Sequence, residues 1–480
     1  MNNDFNMERI SIVKKLNYRD LIIFLIPLFI FGYYLYALNP GIINWDTYFQ
    51  FHQIATNKFT NWHPFFHTFI LMTCVETIGS AISYPILQIL TFSTMWTIIC
   101  KYCRDDSSKI NKTFHLQCIF TLIGCSIPLN PLFSLYFYKD TLFSYFLMFL
   151  CFLIKVIIDK KGRINFTLIL ALTVTLSFVS QLRYNGTFIV LIMLILLSIY
   201  FFKSNKKQNY HILIPAITII FILLICSLNV IYDVEDNQKD AIMSKTGHML
   251  ADYDLNLKLN ENDKEMLGEL FNESRLDQHY HVTCSDLIYT HNMHKDIYKN
   301  NEKAYIFMAM KYSLKNPKHF IKYLFESSPM VWKIVKEDNW LRYQGMPSVY
   351  PYNTIYYSSM DHIPSTNYDN LTFNNMASQE YRNIESLVGH VNSNELVYTL
   401  FNSPALYMYL SLIILGAVYL ITKSKALFFV YLPNMINIII VFFSTPAPQL
   451  RYLYPNFLLF YLLVIMVIGI FEKAKPDASQ

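Results

Sequence analysis

Just beyond the first long apolar run, the segment PGIINWD at 40–46 delivers a single carboxylate, Asp46. The segment NWHPFFH at 61–67 then leads back into apolar sequence. A carboxylate held at the edge of a span suits a general base that faces water and acts on a lipid-borne substrate. The plainer role for Asp46 is a helix cap, because Asn and Asp lead the N-cap ranking. His63 and His67 lie four apart, which predicts two imidazoles on one helical face, able to meet one ion or phosphate. Pro64 stands where the HExxH zinc motif carries its Glu, so no zinc protease is expected. Packing at the membrane interface is the ordinary alternative for the two histidines.

Other charged groups stand where apolar runs begin or end. Lys139 and Asp140 open one run and offer an ammonium for a phosphate and a second carboxylate opposite Asp46. A charge at a bilayer centre costs ~2.5–3.5 kcal/mol and less near an end, so a snorkelling Lys paired with its Asp is the alternative. The segment QLRYNG at 181–186 predicts a tight turn. There Arg183 could take phosphate oxygens bidentately, with Asn185 and Gly186 letting the backbone approach. Asn-Gly is also an ordinary turn dipeptide. Arg451 repeats the pattern near the C-terminus, and headgroup snorkelling is the alternative for both arginines. His279, His281, Cys284, His291 and His294 supply zinc-ligand types, but their spacing fits no strong zinc pattern. No Walker motif, dinucleotide fingerprint or nucleophile elbow is present, which argues against an ATP-driven transporter.

The elements that must position these groups are mostly apolar. The chain has 480 residues, 54% hydrophobic and 15% charged, against about 25% charged in a soluble domain, so an integral membrane protein is expected. Apolar runs fall at 21–38, 83–100, 114–128, 141–158, 166–182, 187–202, 212–231, 405–421, 426–443 and 452–471, most of them near the ~20 residues that cross a bilayer. Basic loops separate them, so the net charge of +5 reflects a cytoplasmic bias of Lys and Arg rather than a nucleic-acid partner. No small-residue cleavage site follows the first run, which therefore reads as an anchor. Counting crossings between basic loops leaves one segment too many unless 64–80 is a re-entrant or juxtamembrane helix lining a cavity.

The expected fold is all-α: about ten transmembrane helices, both termini cytoplasmic, in a multi-pass cell-membrane protein. Three parts are expected: a membrane module over 1–231 with its first outer loop at 39–82, a mostly helical extracytoplasmic region over 232–404, and C-terminal membrane helices over 405–480. Within the second, 262–271, 303–314, 317–335 and 378–401 read as helices and 343–370 as a long aromatic-rich loop. Of the eight cysteines, Cys284 alone falls in that region, so no internal disulfide can staple it.

This layout resembles the GT-C class of membrane glycosyltransferases. The resemblance runs through most of the chain and is densest over 20–190, where Asp46 matches an acid soon after the first span and Asp140 a second acid opening a later span. It also includes a Pro-bearing juxtamembrane helix and a helical outer loop. His63-Pro64, Lys139-Asp140 and Arg183-x-Asn185-Gly186 are similar to motifs of multipass bacterial proteins near that class. The resemblance implies transfer of a sugar from a polyprenyl-phosphate donor to an extracytoplasmic glycan, lipid or protein acceptor. Asp46 would be the base, with Asp140 also catalytic. His63, His67, Lys139, Arg183, Asn185 and Arg451 would bind donor phosphate or substrate. Well-known members often carry a second acid beside the first, and Thr47 stands here, which leaves a divalent metal open. The competing expectation is a glycolipid or polysaccharide transporter without enzymatic activity, although no two-half repeat of the kind many transporters carry is visible.

Overall fold

The computed structural model describes residues 17–104, 112–204, 209–237, 239–335, 378–445 and 447–473. The loop expected at 343–370 lies outside them. Among the described residues the regular structure is helical, apart from three isolated bridges. The α-helices are α1 (Tyr18–Ala37), α2 (Trp45–Thr56), α3 (Phe65–Ile78), α4 (Ser83–Cys103), α5 (Lys112–Ser126), α6 (Leu129–Leu135), α7 (Lys139–Asp159), α8 (Phe166–Leu182), α9 (Tyr184–Ser204) and α10 (Tyr210–Ile231). Next come α11 (Lys239–Asn256), α12 (Glu261–Leu270), α13 (Leu276–His279), α14 (Ser285–His291), α15 (Lys295–Asn300), α16 (Glu302–Lys315), α17 (Pro317–Ser327) and α18 (Pro329–Trp332). The last are α19 (Gln379–Ser393), α20 (Glu395–Asn402), α21 (Pro404–Thr422), α22 (Ala426–Ser444) and α23 (Pro455–Lys473).

Eight helical segments among the described residues are long and apolar enough to cross a membrane: α1, α4, α7, α9, α10, α21, α22 and Leu450–Ile470. The pair α5 and α6, bent by 67°, would make a ninth if it is one broken span. The sequence count of about ten also took in α8, which has 17 residues. The 14 residues of α3 rise only about 21 Å, short of a ~30 Å hydrocarbon core. Gly79, with φ of +73°, ends that helix in the left-handed region.

Helix α7 is the hub of the bundle and packs on α4, α8, α22 and α23. Where α1 begins, Asn17 and Asp20 form a capping box. Buried Asp20 also binds Arg104 at 2.5 Å and Lys101 at 2.9 Å, stapling α1 to the end of α4.

A second core gathers Leu250, Tyr253, Leu267, Leu270, Ile288 and Tyr305 from α11 to α16. It meets the bundle through the Asn61 amide on Asp236 (3.0 Å), the Trp62 and Tyr289 rings (centroids 5.8 Å apart) and the Lys245 ammonium on the Thr445 carbonyl (3.4 Å). The expected helix at 262–271 starts earlier, with Asn260 rather than Asn262 as its cap. The one expected at 317–335 breaks at Ser328-Pro329 into α17 and α18, because a proline at a first helical position ends the preceding helix. Helix α19 buries Tyr381, Ile384, Val388 and Val391 in the main core, near α1. Met330 and Val331 join a third cluster with Met408, Ile438 and Val441, so the stretch 232–404 is divided among three.

Candidate functional site

The chain leaving α1 is pinned against the segment that precedes α7. Gly41 has φ of +126°, and a Cβ there would lie 2.7 Å from the Phe137 ring, 2.8 Å from Pro85 and 2.9 Å from the Leu135 carbonyl. Only glycine fits. The Ile42 amide then donates to the Leu135 carbonyl (2.9 Å) and the Phe137 amide to the Ile42 carbonyl (3.3 Å). Asn44 caps α2 by accepting from the Thr47 amide (2.9 Å), and the Thr47 hydroxyl reaches the Phe137 carbonyl (3.1 Å). The first turn of α2 thereby sits beside the first turn of α7. Capping falls to Asn44, which leaves the Asp46 carboxylate unused for that purpose.

A second constraint comes from the corner between α8 and α9, where one extended residue, Arg183, separates the helices. A Cβ on Gly186 would collide with the Val179 carbonyl, so this close approach also requires glycine. The corner holds the Arg183 guanidinium over the Phe143 ring (5.4 Å) and the Tyr452 ring (5.0 Å). Arg451 arrives on the short 3-10 turn before α23, over the Tyr138 and Tyr452 rings at 4.9 and 5.1 Å.

These elements bring together Asp46, His63, Lys139, Asp140, Arg183 and Arg451. Arg451 donates to Asp46 and lies 3.9 Å from Asp140. Arg183 pairs with fully buried Asp140 at 2.5 Å. The Lys139 ammonium sits 2.7 Å from His63 Nδ1, and His63 Nε2 lies 3.8 Å from Asp46 Oδ1. Lys can only donate, so Nδ1 accepts and the proton of a neutral His63 resides on Nε2, facing Asp46. Two carboxylates against two guanidiniums and one ammonium leave one positive charge in excess.

Burial pushes the Asp46 carboxyl up, but Arg451, His63 and Lys139 outweigh it and hold it well below the usual carboxylate range. Burial, helped by Lys139 and opposed by Asp46, brings His63 down to about 3, so its imidazole is neutral at physiological pH. The Asp46 side chain stays 24% exposed while Asp140 is closed off, so the two acids differ in access. Asp46 is open to a ligand. Asp140 orients Arg183.

Several sequence expectations change. His63 and His67 do not share a helical face, because α3 begins at Phe65, with Pro64 as its cap, and His63 lies outside it. His67 turns inward, fully buried, and bonds Gln50 (2.9 Å) and the Tyr84 hydroxyl (2.7 Å) rather than a charged group. Asp140 pairs with Arg183 and not with its neighbour Lys139, whose partner is His63. Asn185, inside α9 and half-buried, joins none of the cluster's bonds. In the histidine-rich segment, His279 and His291 have ring centroids 5.8 Å apart, and His281 bonds Thr283 at 2.9 Å. Among the described residues no three His, Cys, Asp or Glu side chains converge to hold a metal. The divalent metal left open by the sequence thus lacks a ligand set there. Tyr138 and Tyr452, the aromatic walls, were not singled out, although each directly adjoins a charged site residue in sequence.

The chain matches no family model, no curated protein and no solved structure.

Proposed function

We propose that this is a membrane glycosyltransferase that moves a sugar from a polyprenyl-phosphate donor to an acceptor outside the cytoplasm. In this reading there are about ten spans, both termini are cytoplasmic, and α11 to α18 lie on the outer side over the charge cluster. The observation that carries the reading is the composition of that cluster: an accessible carboxylate, Asp46, among two guanidiniums and an ammonium with one positive charge in excess. A sugar phosphodiester carries one negative charge, which the excess matches.

In the proposed reaction Asp46 takes the proton of the acceptor hydroxyl as its oxygen bonds to the anomeric carbon. The bond from that carbon to the phosphate oxygen breaks, and the electron pair leaves with the polyprenyl phosphate. Protonating Asp46 raises the cluster's excess to two positive charges as the phosphate becomes a monoester approaching two negative ones. Site and ligand therefore stay balanced through the step, with fixed cations placed where charge develops. Arg451 and Lys139, both half-buried, are the cations able to reach a phosphate. Arg183, committed to Asp140 and to two rings, keeps the pocket in shape. A phosphate that draws Arg451 from Asp46 removes the main influence holding that carboxyl down, so donor binding restores its basicity.

The test is incubation of the purified protein in detergent with polyprenyl-phosphate sugars and envelope glycan or lipid acceptors, reading release of polyprenyl phosphate by mass spectrometry. Release that depends on acceptor supports the reading. Movement of labelled glycolipid across vesicles without any sugar transfer would replace it with a transporter.

A further inference from the structure

Helix α17 presents an apolar flank that no other described residue buries. Its inner face buries Tyr323, Leu324 and Ser327, while Ile321 and Phe325, four apart, are 53% and 46% exposed. Lys318 and Lys322 run along the same exposed side, again four apart. The Lys322 ammonium lies 3.8 Å from Glu326 in a solvent-exposed pair, which leaves its charge largely uncommitted. Apolar side chains flanked by lysines are the pattern of a helix lying in a membrane interface.

The surroundings set this flank beside the ends of two apolar helices. Met330 and Val331 of α18 share a cluster with Met408, Ile438 and Val441 of the apolar helices α21 and α22. Met408 and Ile438 stand about 6 and 9 Å inside the ends of their helices at ~1.5 Å per residue. The Tyr409 hydroxyl donates to the Trp332 carbonyl (2.8 Å), and the Phe325 ring meets those of Phe442 (5.1 Å) and Trp332 (5.6 Å). Phe443, beside Phe442, is half-exposed at the end of α22. The exposed flank is thus continuous with the outward surface of a membrane-spanning helix, and its aromatic residues sit where an interfacial belt forms.

We propose that α17 and α18 form a wedge in the lipid layer at this end of the bundle. Ile321 and Phe325 enter the acyl region there, and Lys318 and Lys322 bind anionic phospholipid headgroups. This surface is separate from the charge cluster and stands whether or not the chain transfers sugar.

The test places the photo-crosslinker p-benzoylphenylalanine at 321 or 325 of the full chain, reconstituted in vesicles of equal parts phosphatidylcholine and phosphatidylglycerol. After irradiation, mass spectrometry should find phospholipid adducts at both positions and none at 264, an exposed site on α12. Lys318→Gln and Lys322→Gln should each lower the ratio of phosphatidylglycerol to phosphatidylcholine adducts roughly fivefold, as the ~1 kcal/mol per surface lysine implies. Absence of lipid adducts, or chain-to-chain crosslinks in their place, would overturn the wedge. An unchanged adduct ratio in both glutamine variants would overturn the headgroup assignment.

Discussion

Removing Arg183 alone should destabilise the protein more than removing Arg183 and Asp140 together. Asp140 is fully buried, and its nearest cation is Arg183 at 2.5 Å, with Arg451 next at 3.9 Å. Breaking a buried pair on one side costs ~3–5 kcal/mol because a charge is left uncompensated. Arg451 softens the loss, so Arg183→Met should cost about 3 kcal/mol, the low end of that range. Asp140→Leu should cost less, since the stranded guanidinium keeps its two aromatic faces, worth ~0.5–2 kcal/mol apiece. The double variant replaces a pair by apolar groups and should recover more than the whole Asp140→Leu loss, at least about 2 kcal/mol of the summed single losses. Reversible unfolding in mixed micelles, followed by circular dichroism, gives all four corners of the cycle. Single losses that add to within about 0.5 kcal/mol would refute the pairing.

Gly41→Ala should push α2 off α7 and cost about 1–3 kcal/mol or more, as overpacking does, read as lower yield of monodisperse protein and a lower melting temperature. His63 and His248, the latter buried in α11 against the Tyr323 hydroxyl (2.7 Å) and the His281 carbonyl (3.0 Å), are both lowered to about 3, each mainly by burial, so the unfolded chain binds their protons first as pH falls below ~6.5. Stability should therefore decline from pH 6.5 downward, by about 2 kcal/mol per histidine at pH 5, and level off only near the folded values. Melting temperatures across pH 5 to 8 check this, and a flat profile would remove the assignment of buried neutral histidines.

Much of the site was legible because charges are conspicuous in an apolar chain. Asp46, Lys139, Asp140, Arg183 and Arg451 all stood at the ends of apolar runs, and all of them converge. Their pairing was not legible, because it depends on two close approaches that spacing does not announce: Gly41 against the Phe137 ring, distant in sequence, and Gly186 against the Val179 carbonyl across a helix corner. Spacing misled for His63 and His67, since i and i+4 place residues on one face only when both lie in the helix, and Pro64 excludes the first. The apolar positions 381, 384, 388 and 391 mark α19 as amphipathic, but periodicity carries no information on which core receives its face.

The central claim rests on Asp46, and Asp46→Asn tests it most directly. Asn44 supplies the cap of α2, so the substitution leaves the helix start intact and removes a basic carboxylate. It also raises the cluster's positive excess by one, so binding of a polyprenyl-phosphate donor should be unchanged or tighter. Sugar transfer by the purified, folded variant should fall about 10²–10⁴-fold, the usual share of a general base. Transfer at the wild-type rate would contradict the account.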